Sequence, residues 1–267
     1  MDTDQYRVKP GSVGRLDRWD PADDGGLTKN EAKRLLDRKR VELERLQELL
    51  YADGRHRLLI VLQAIDAGGK DGTIRAVFEG VNPQGVNVTS FKQPTSDELA
   101  HDYLWRVHQH IPKAGMVAIF NRSHYEDVLV ARVHGLVPKQ RWSKRYDHIN
   151  AFEQMLADEG TTIRKFLLHI SKDEQRARQQ ERIDNPAKQW KFSNADLAER
   201  EHWDEYMTAF EAMLTKTTTK TAPWYVVPAN HNWYRNLVVM NVLVDTLRQL
   251  PLRYPPAEEG VAGIVVR

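Results

Sequence analysis

Residues 57–74 read RLLIVLQAIDAGGKDGTI, and the change of character inside that stretch decides the fold. Arg57–Ile65 is a nearly continuous apolar run, the pattern of a strand buried on both faces in a parallel sheet. Residues 63–74, QAIDAGGKDGTI, then make a glycine-rich turn carrying one lysine and leading into a helix. A phosphate-binding P-loop has the form G-x-x-x-x-G-K-[ST] between strand and helix. The register here is Ala64-Ile65-Asp66-Ala67-Gly68-Gly69-Lys70-Asp71. Gly68, Gly69 and Gly72 let backbone N–H groups approach phosphate oxygens, and the helix N-terminus adds positive potential. Lys70 supplies a point charge. Ala64 replaces the first glycine, Asp71 replaces the hydroxyl residue that helps hold Mg2+, and Asp66 adds a carboxylate. Carboxylates beside phosphates repel unless a divalent cation lies between them. The pattern therefore implies a metal held partly by Asp66, the alternative being a plain glycine turn with a surface lysine.

Further strands are expected at Val86–Phe91, Gly115–Phe120, Thr162–Ile170 and Trp224–Val227. Helices are expected from Thr28 to about Tyr51, Thr95 to His110, His124 to His134, Pro138 to Asp158, Ser171 to Ile183, Asn194 to Thr219 and Tyr234 to Leu250. Thr28/Glu31, Thr95/Glu98 and Ser171/Glu174 have capping-box spacing. Five strands alternating with helices predict an α/β domain with a mainly parallel sheet, whose ligands sit beyond the carboxyl ends of the strands. Residues 1–27 read as an arm lying on the domain, 28–250 as the domain, and 251–267 as a loop-like tail.

The 267 residues suit one large domain, and 41% hydrophobic residues suffice for a core. The absence of cysteine excludes disulfides, zinc–cysteine sites and thiol catalysis. The first 20 residues lack the apolar core of a secretory signal, and no apolar run is long enough to span a bilayer, so a cytoplasmic location is expected. A net charge of +2 gives no global field for nucleic acid. No nucleic-acid or membrane partner is expected.

The strand at Gly115–Phe120 runs into Asn121-Arg122-Ser123-His124-Tyr125-Glu126-Asp127. An acidic residue near the end of a neighbouring strand helps hold Mg2+ in P-loop enzymes, which makes Asp127 and Glu126 candidates. Arg122 is placed to neutralise a transferring phosphoryl group. The competing reading is a helix start enriched in acids for dipole reasons. Arg141, Lys144 and Arg145 have the i, i+3, i+4 spacing of one helix face, either a polyanion lane or a solvated surface. Arg178 and Arg182 lie four apart before a polar link containing Lys188. They suit a phosphotransferase lid at about 172–203, or a helical hairpin paired with Glu174, Glu181 and Asp184.

LQAIDAGGKDGTI, GVNPQGV, DYLWRVHQHIP, IFNRSHYEDVLV, RIDNPAKQWKFSNADLAER and APWYVVPANHNWYRN together resemble the polyphosphate kinase 2 family over roughly residues 30–250. The details look most like its class III branch, whose members act on nucleoside monophosphates and diphosphates. The resemblance implies a three-layer P-loop kinase fold similar to thymidylate kinase, with a five-stranded, mainly parallel sheet and a helical lid. It implies reversible phosphoryl transfer from inorganic polyphosphate to AMP or ADP, dependent on Mg2+ or Mn2+. Carried over by position, Asp66, Lys70, Arg122, Asp127, Arg178 and Arg182 would be catalytic, with Asp66 and Asp127 on the metal. Ala67, Gly68, Gly69, Asp71, Gly72, Thr73, Arg75, Asn121 and Glu126 would bind nucleotide or phosphate. Arg141, Lys144, Arg145 and Lys188 would line the polymer path. The expected partners are polyphosphate, AMP, ADP, ATP and guanine nucleotides, and a second copy of the chain in a dimer or tetramer. The rivals are an ATP-dependent nucleoside or nucleotide kinase of the same fold and a non-catalytic polyanion-binding protein.

Overall fold

The computed structural model describes residues 1–261 and 263–266. Its centre is a five-stranded sheet of β1 (Arg57–Gln63), β2 (Val86–Ser90), β3 (Val117–Asn121), β4 (Thr161–His169) and β5 (Trp224–Pro228). The order is β2-β3-β1-β4-β5, and every ladder is parallel. β1 lies in the middle because its side chains from Leu58 to Gln63 are buried on both faces.

Helix α1 (Lys29–Asp53) starts at Thr28, whose hydroxyl accepts from Glu31 N–H while Glu31 accepts from Thr28 N–H. It stops at Gly54, which takes φ 67°, a conformation that suits glycine. Next come α2 (Lys70–Val77), α3 (Ser96–Ala100), α4 (Trp105–His108), α5 (Val130–Val133), α6 (Lys139–Trp142) and α7 (Arg145–Asp158). The chain ends with α8 (Lys172–Asp184), α9 (Asn194–Glu201), α10 (Trp203–Thr217) and α11 (Asn232–Arg248). α1, α2 and α11 pack together, with α11 against β4 and β5. α7 packs on β4 and on α10, completing three layers.

The expected strands are present, but four expected helices are each two shorter pieces, the one expected at 194–219 being α9 and α10. Residues 95–110 break into α3 and α4, where the Asp102 carboxylate accepts from Leu104 N–H in a local turn. Residues 124–134 are a 3-10 turn at His124–Asp127 followed by α5. Residues 138–158 divide into α6 and α7, so Arg141 and Arg145 do not share one helix face. Among the described residues no helix is long and apolar enough to cross a membrane.

The N-terminal arm covers the free edge of β5. Val8 N–H donates to the Trp224 carbonyl at 2.9 Å, Arg7 pairs antiparallel with Tyr225, and Tyr6, Val8 and Leu16 are buried. Covering an edge satisfies its backbone groups and blocks pairing with other chains. Deleting residues 1–20 is expected to lower the thermal midpoint and promote aggregation. A deletion variant that melts like the parent would show that the arm contributes nothing to the edge.

Candidate active site

Three loops at the carboxyl end of the sheet converge on one region. Those after β1, β2 and β3 line a cavity of about 780 Å3, roofed by α8 and the link to α9.

The loop after β1 is held by its own backbone. Gly68 N–H donates to the Ile65 carbonyl at 3.0 Å, and Lys70 Nζ donates to the Ala64 carbonyl at 2.9 Å. Ala67 takes φ 63°, a left-handed conformation that costs a non-glycine residue about 1–2 kcal/mol. Its carbonyl accepts from Arg178 Nη1 at 3.0 Å, so α8 holds the strained turn. A Cβ at Gly68 would lie 2.5 Å from the Ala64 methyl. With alanine at the usual first-glycine position, residue 68 must be glycine. Burial, and Arg122 nearby, pull the Lys70 ammonium down to about 8.

Arg122, the first residue after β3, also has φ 61°. Its N–H donates to the Leu62 carbonyl at 3.1 Å, and its Nη2 donates to Asp66 Oδ1 at 2.7 Å. Its Nη1 lies 3.6 Å from Glu126 Oε2. Burial raises the Glu126 carboxyl despite Arg122 and Lys70. Asn121 Nδ2 donates to Asp71 Oδ1 at 2.7 Å, tying the two loops together. Asp66, Arg122 and Glu126 also border a smaller cavity of about 210 Å3 with Tyr206 and Phe210.

Above the cavity, Ser171 caps α8 by accepting from Glu174 N–H. Glu174 does not complete the capping box; it accepts from Arg178 Nε at 2.7 Å. Arg178 Nη2 donates to the carbonyls of Ala229 and Asn230. Gln175 Nε2 donates to the Asp66 carbonyl at 3.1 Å, a second clasp between α8 and the loop. Arg182 lies 3.4 Å from Asp196 Oδ2. Arg178, Arg182, Lys188, Trp190 and Lys191 reach the cavity, and Lys188 is also paired with Glu181.

The structure thus brings Asp66–Gly72, Asn121, Arg122, Arg178, Arg182 and Lys188 to one cavity, with Glu126 beside it. Several other expected positions lie off both cavities. Asp127 turns away from them: its Oδ1 accepts from Arg145 Nη1 at 2.9 Å, and the Arg145 guanidinium lies 4.5 Å from the Tyr103 ring centroid. Burial pushes the Asp127 carboxyl up to about 6 despite Arg145. Arg145 is itself buried by this pairing, while Arg141 and Lys144 are exposed away from the cavity. Thr73 is buried with its hydroxyl on the Gly69 carbonyl, and Arg75 is exposed on α2 outside both cavities. Sequence reasoning did not single out Lys92, which lines the cavity, or Arg235, which lies under Gly69. A cation in the first turn of an otherwise apolar helix was the available signal for Arg235.

Among the described residues no three acidic or histidine side chains gather into a metal cage. Mg2+ keeps several waters and needs only one or two carboxylates beside substrate phosphates. Asp66 fits that requirement: it borders both cavities, and only its Oδ1 has a protein partner among the described residues. Asp127 does not fit, because Arg145 holds it outside both cavities.

Comparison with known proteins adds four findings. The family model for polyphosphate kinase 2 matches residues 26–253. The chain is 60% identical over 267 residues to an AMP/ADP-polyphosphate phosphotransferase of Meiothermus ruber, covering 98% of this chain and 99% of the relative. It is 47% identical over 266 residues to an ADP-polyphosphate phosphotransferase of Rhodopseudomonas palustris, covering 95% and 92%. The crystal structure of a polyphosphate kinase 2 from Arthrobacter aurescens superposes with a TM-score of 0.92 at 46% identity, covering 96% of this chain and 92% of that one.

Proposed function

From the premise that this chain belongs to the polyphosphate kinase 2 family, we propose that it transfers the terminal phosphoryl group of inorganic polyphosphate to AMP and ADP. A phosphate oxygen of the nucleotide attacks the terminal phosphorus as the bond to the bridging oxygen breaks, leaving a polymer one unit shorter. One observation carries the assignment. Lys70, Arg122, Arg178, Arg182 and Lys188 surround one cavity floored by the glycine loop. In a loose phosphoryl transition state, catalysis is chiefly positioning and charge stabilisation, which such a cavity supplies.

The residues divide the work as follows. Lys70 and the loop N–H groups bind phosphate oxygens. Arg122 is preset by its bond to Asp66 and faces charge that develops on the transferring group. Arg182 lies on the cavity wall to do the same. Arg178 acts first as a clasp between lid and loop, since Nε, Nη1 and Nη2 are all engaged. Asp66 would hold Mg2+ together with substrate phosphates, and the ion supplies charge neutralisation when bound. Glu126, in the smaller cavity, borders the nucleotide side. The name of the Meiothermus ruber relative, which covers both AMP and ADP, supports the class III expectation.

The direct test supplies polyphosphate, a divalent metal and either AMP or ADP, with no ATP, and follows the nucleotide products. Formation of ADP and ATP is expected. Turnover only when ATP replaces polyphosphate would overturn the assignment in favour of an ATP-dependent kinase.

A pH dependence follows from Lys70. Its ammonium has been pulled down to about 8, so it is protonated below that pH and loses its charge above it. In the free enzyme kcat/KM should therefore fall as pH rises through about 8. Arginine stays charged throughout, so Lys70→Arg should remove this alkaline limb even where it lowers the plateau. An unchanged alkaline limb in Lys70→Arg would dissociate the limb from Lys70.

A further inference from the structure

Four carboxylates border the smaller cavity of about 210 Å3: Asp66, Glu126, Asp196 and Glu199. A site for nucleotide phosphates tolerates them only where each charge is offset. Arg122 serves two of them, lying 2.7 Å from Asp66 and 3.6 Å from Glu126. Arg182 serves Asp196 at 3.4 Å. Glu199 pairs with no arginine among the described residues. His134, the C-cap of α5, takes that place: its Nε2 lies 2.9 Å from Glu199 Oε1 and 3.1 Å from Oε2. Tyr206 Oη, on α10, donates to the same carboxylate at 2.8 Å. The His202 ring packs edge-on against His134, with centroids 5.1 Å apart.

The same carboxylate ties α9 to the rest of the domain. No residue of α9 is buried, so it has no apolar anchor of its own and polar contacts hold it. Several run to α8. Arg200 Nη1 donates to the Lys172 carbonyl and to Gln175 Oε1, both at 2.8 Å, and Gln179 Nε2 donates to the Asp196 carbonyl at 3.3 Å. Those bonds fix α9 to α8 alone. The Glu199 contacts instead cross from α9 to α5 and α10, and they set how closely Ala195, Asp196 and Glu199 approach Arg122 and Glu126 across the cavity. Burial opposes the Arg122 charge, and its anionic neighbours, Glu126, Asp66 and Glu199 among them, more than offset it. Glu199 therefore already acts on the cavity's own cation. An ordinary exposed ion pair adds little to stability. The side chains of this one are 27% and 31% exposed, and its carboxylate borders a site for an anion, so its effect falls on binding.

We propose that His134 is a positioning residue for the nucleotide: with Tyr206 it holds Glu199, which closes α9 against the smaller cavity and keeps that carboxylate from repelling the incoming phosphates. The inference rests on the smaller cavity taking the nucleotide acceptor. His134 acts through Glu199 and does not itself border the cavity.

The test is steady-state kinetics of ATP formation by the full chain, varying ADP and polyphosphate in turn, with ADP affinity measured separately by calorimetry. His134→Phe keeps an aromatic ring beside His202 and removes the donor. It should raise KM for ADP and weaken ADP binding by about fivefold or more, with kcat and the KM for polyphosphate within about twofold. His134→Gln, whose amide can still donate to Glu199, should keep ADP affinity within about threefold of the parent. Adding Glu199→Gln to His134→Phe should recover most of the loss, because no uncompensated carboxylate then remains. A defect of packing alone would not be repaired by that second change. Parental ADP affinity in a folded His134→Phe protein, or a loss that Glu199→Gln fails to repair, overturns the role of His134. A parent that binds ADP yet forms no ATP from polyphosphate overturns the donor assignment, and the calorimetric comparison then decides on His134 by itself. A parent that does not bind ADP overturns both.

Discussion

Lys70→Ala should lower the turnover of polyphosphate-dependent ADP and ATP formation by about 10²–10³-fold, the loss typical of removing one preorganised donor from a developing charge. The position makes the result specific to the site. Lys70 is the first residue of α2, and its ammonium donates to the Ala64 carbonyl at 2.9 Å across the loop. It does not belong to the core, so alanine there leaves the sheet and its packing intact. Arg122 is bound to Asp66 and Arg178 to backbone carbonyls, so neither is free to take the place of Lys70 on the loop. Steady-state kinetics with ADP and polyphosphate, alongside a thermal melt to verify folding, measures the effect. Turnover near that of the parent in a folded Lys70→Ala protein would remove the glycine loop from the chemistry.

The second large effect lies behind the site, in the core. Lys165 on β4 is fully buried, and its Nζ donates to Glu153 Oε2 at 2.5 Å, Tyr125 Oη at 2.8 Å and the Thr217 carbonyl at 2.7 Å. Burial alone would raise the Glu153 carboxyl, but Lys165 and His124 more than offset it and hold it below its ordinary value. Lys165→Met strands that carboxylate in the core and should destabilise the protein by about 3–5 kcal/mol. At about 2–4 °C per kcal/mol for a chain of this size, the midpoint should fall on the order of 10 °C. Lys165→Met with Glu153→Leu should recover most of the loss, because no uncompensated charge remains. Chemical denaturation of the three proteins tests this. A single variant as stable as the parent would show that Glu153 is not held as a carboxylate.

The network also bears on the site. Tyr125 Oη donates to Glu153 Oε1 at 2.8 Å, and His124 Nε2 lies 3.3 Å from the same oxygen. Both residues belong to the turn that follows Arg122. Anchoring that turn from behind helps Arg122 keep its left-handed conformation, which an isolated chain would not favour.

Much of the molecule was legible from local pattern. β1 announces itself as an apolar run, the Thr28/Glu31 box sets the start of α1, and the spacing of Gly68, Gly69, Lys70 and Gly72 marks the turn from β1 into α2. These features depend on neighbours a few residues away, so the chain encodes them within a short window. Helix breaks were harder. Between α6 and α7, or α9 and α10, the helical spacing continues through one or two residues, and packing of the separate pieces decides where the axis turns.

What amino-acid order determined on its own was the alternation of elements, the glycine loop with its lysine and added carboxylate, and the identity of the arginines available to it. Tertiary structure alone decided the partners. It turned Asp127 to Arg145 and out of both cavities, joined Asp66 to Arg122, made Arg178 a clasp on the loop, and slid Arg235 beneath Gly69. The physical reason is one of range. Helix and strand propensities act over a few residues along the chain. The pairing of charges in the site is settled by Coulomb interaction and desolvation between groups far apart in sequence, as Asp66 and Arg122 are at 56 positions, and only the folded sheet brings them together.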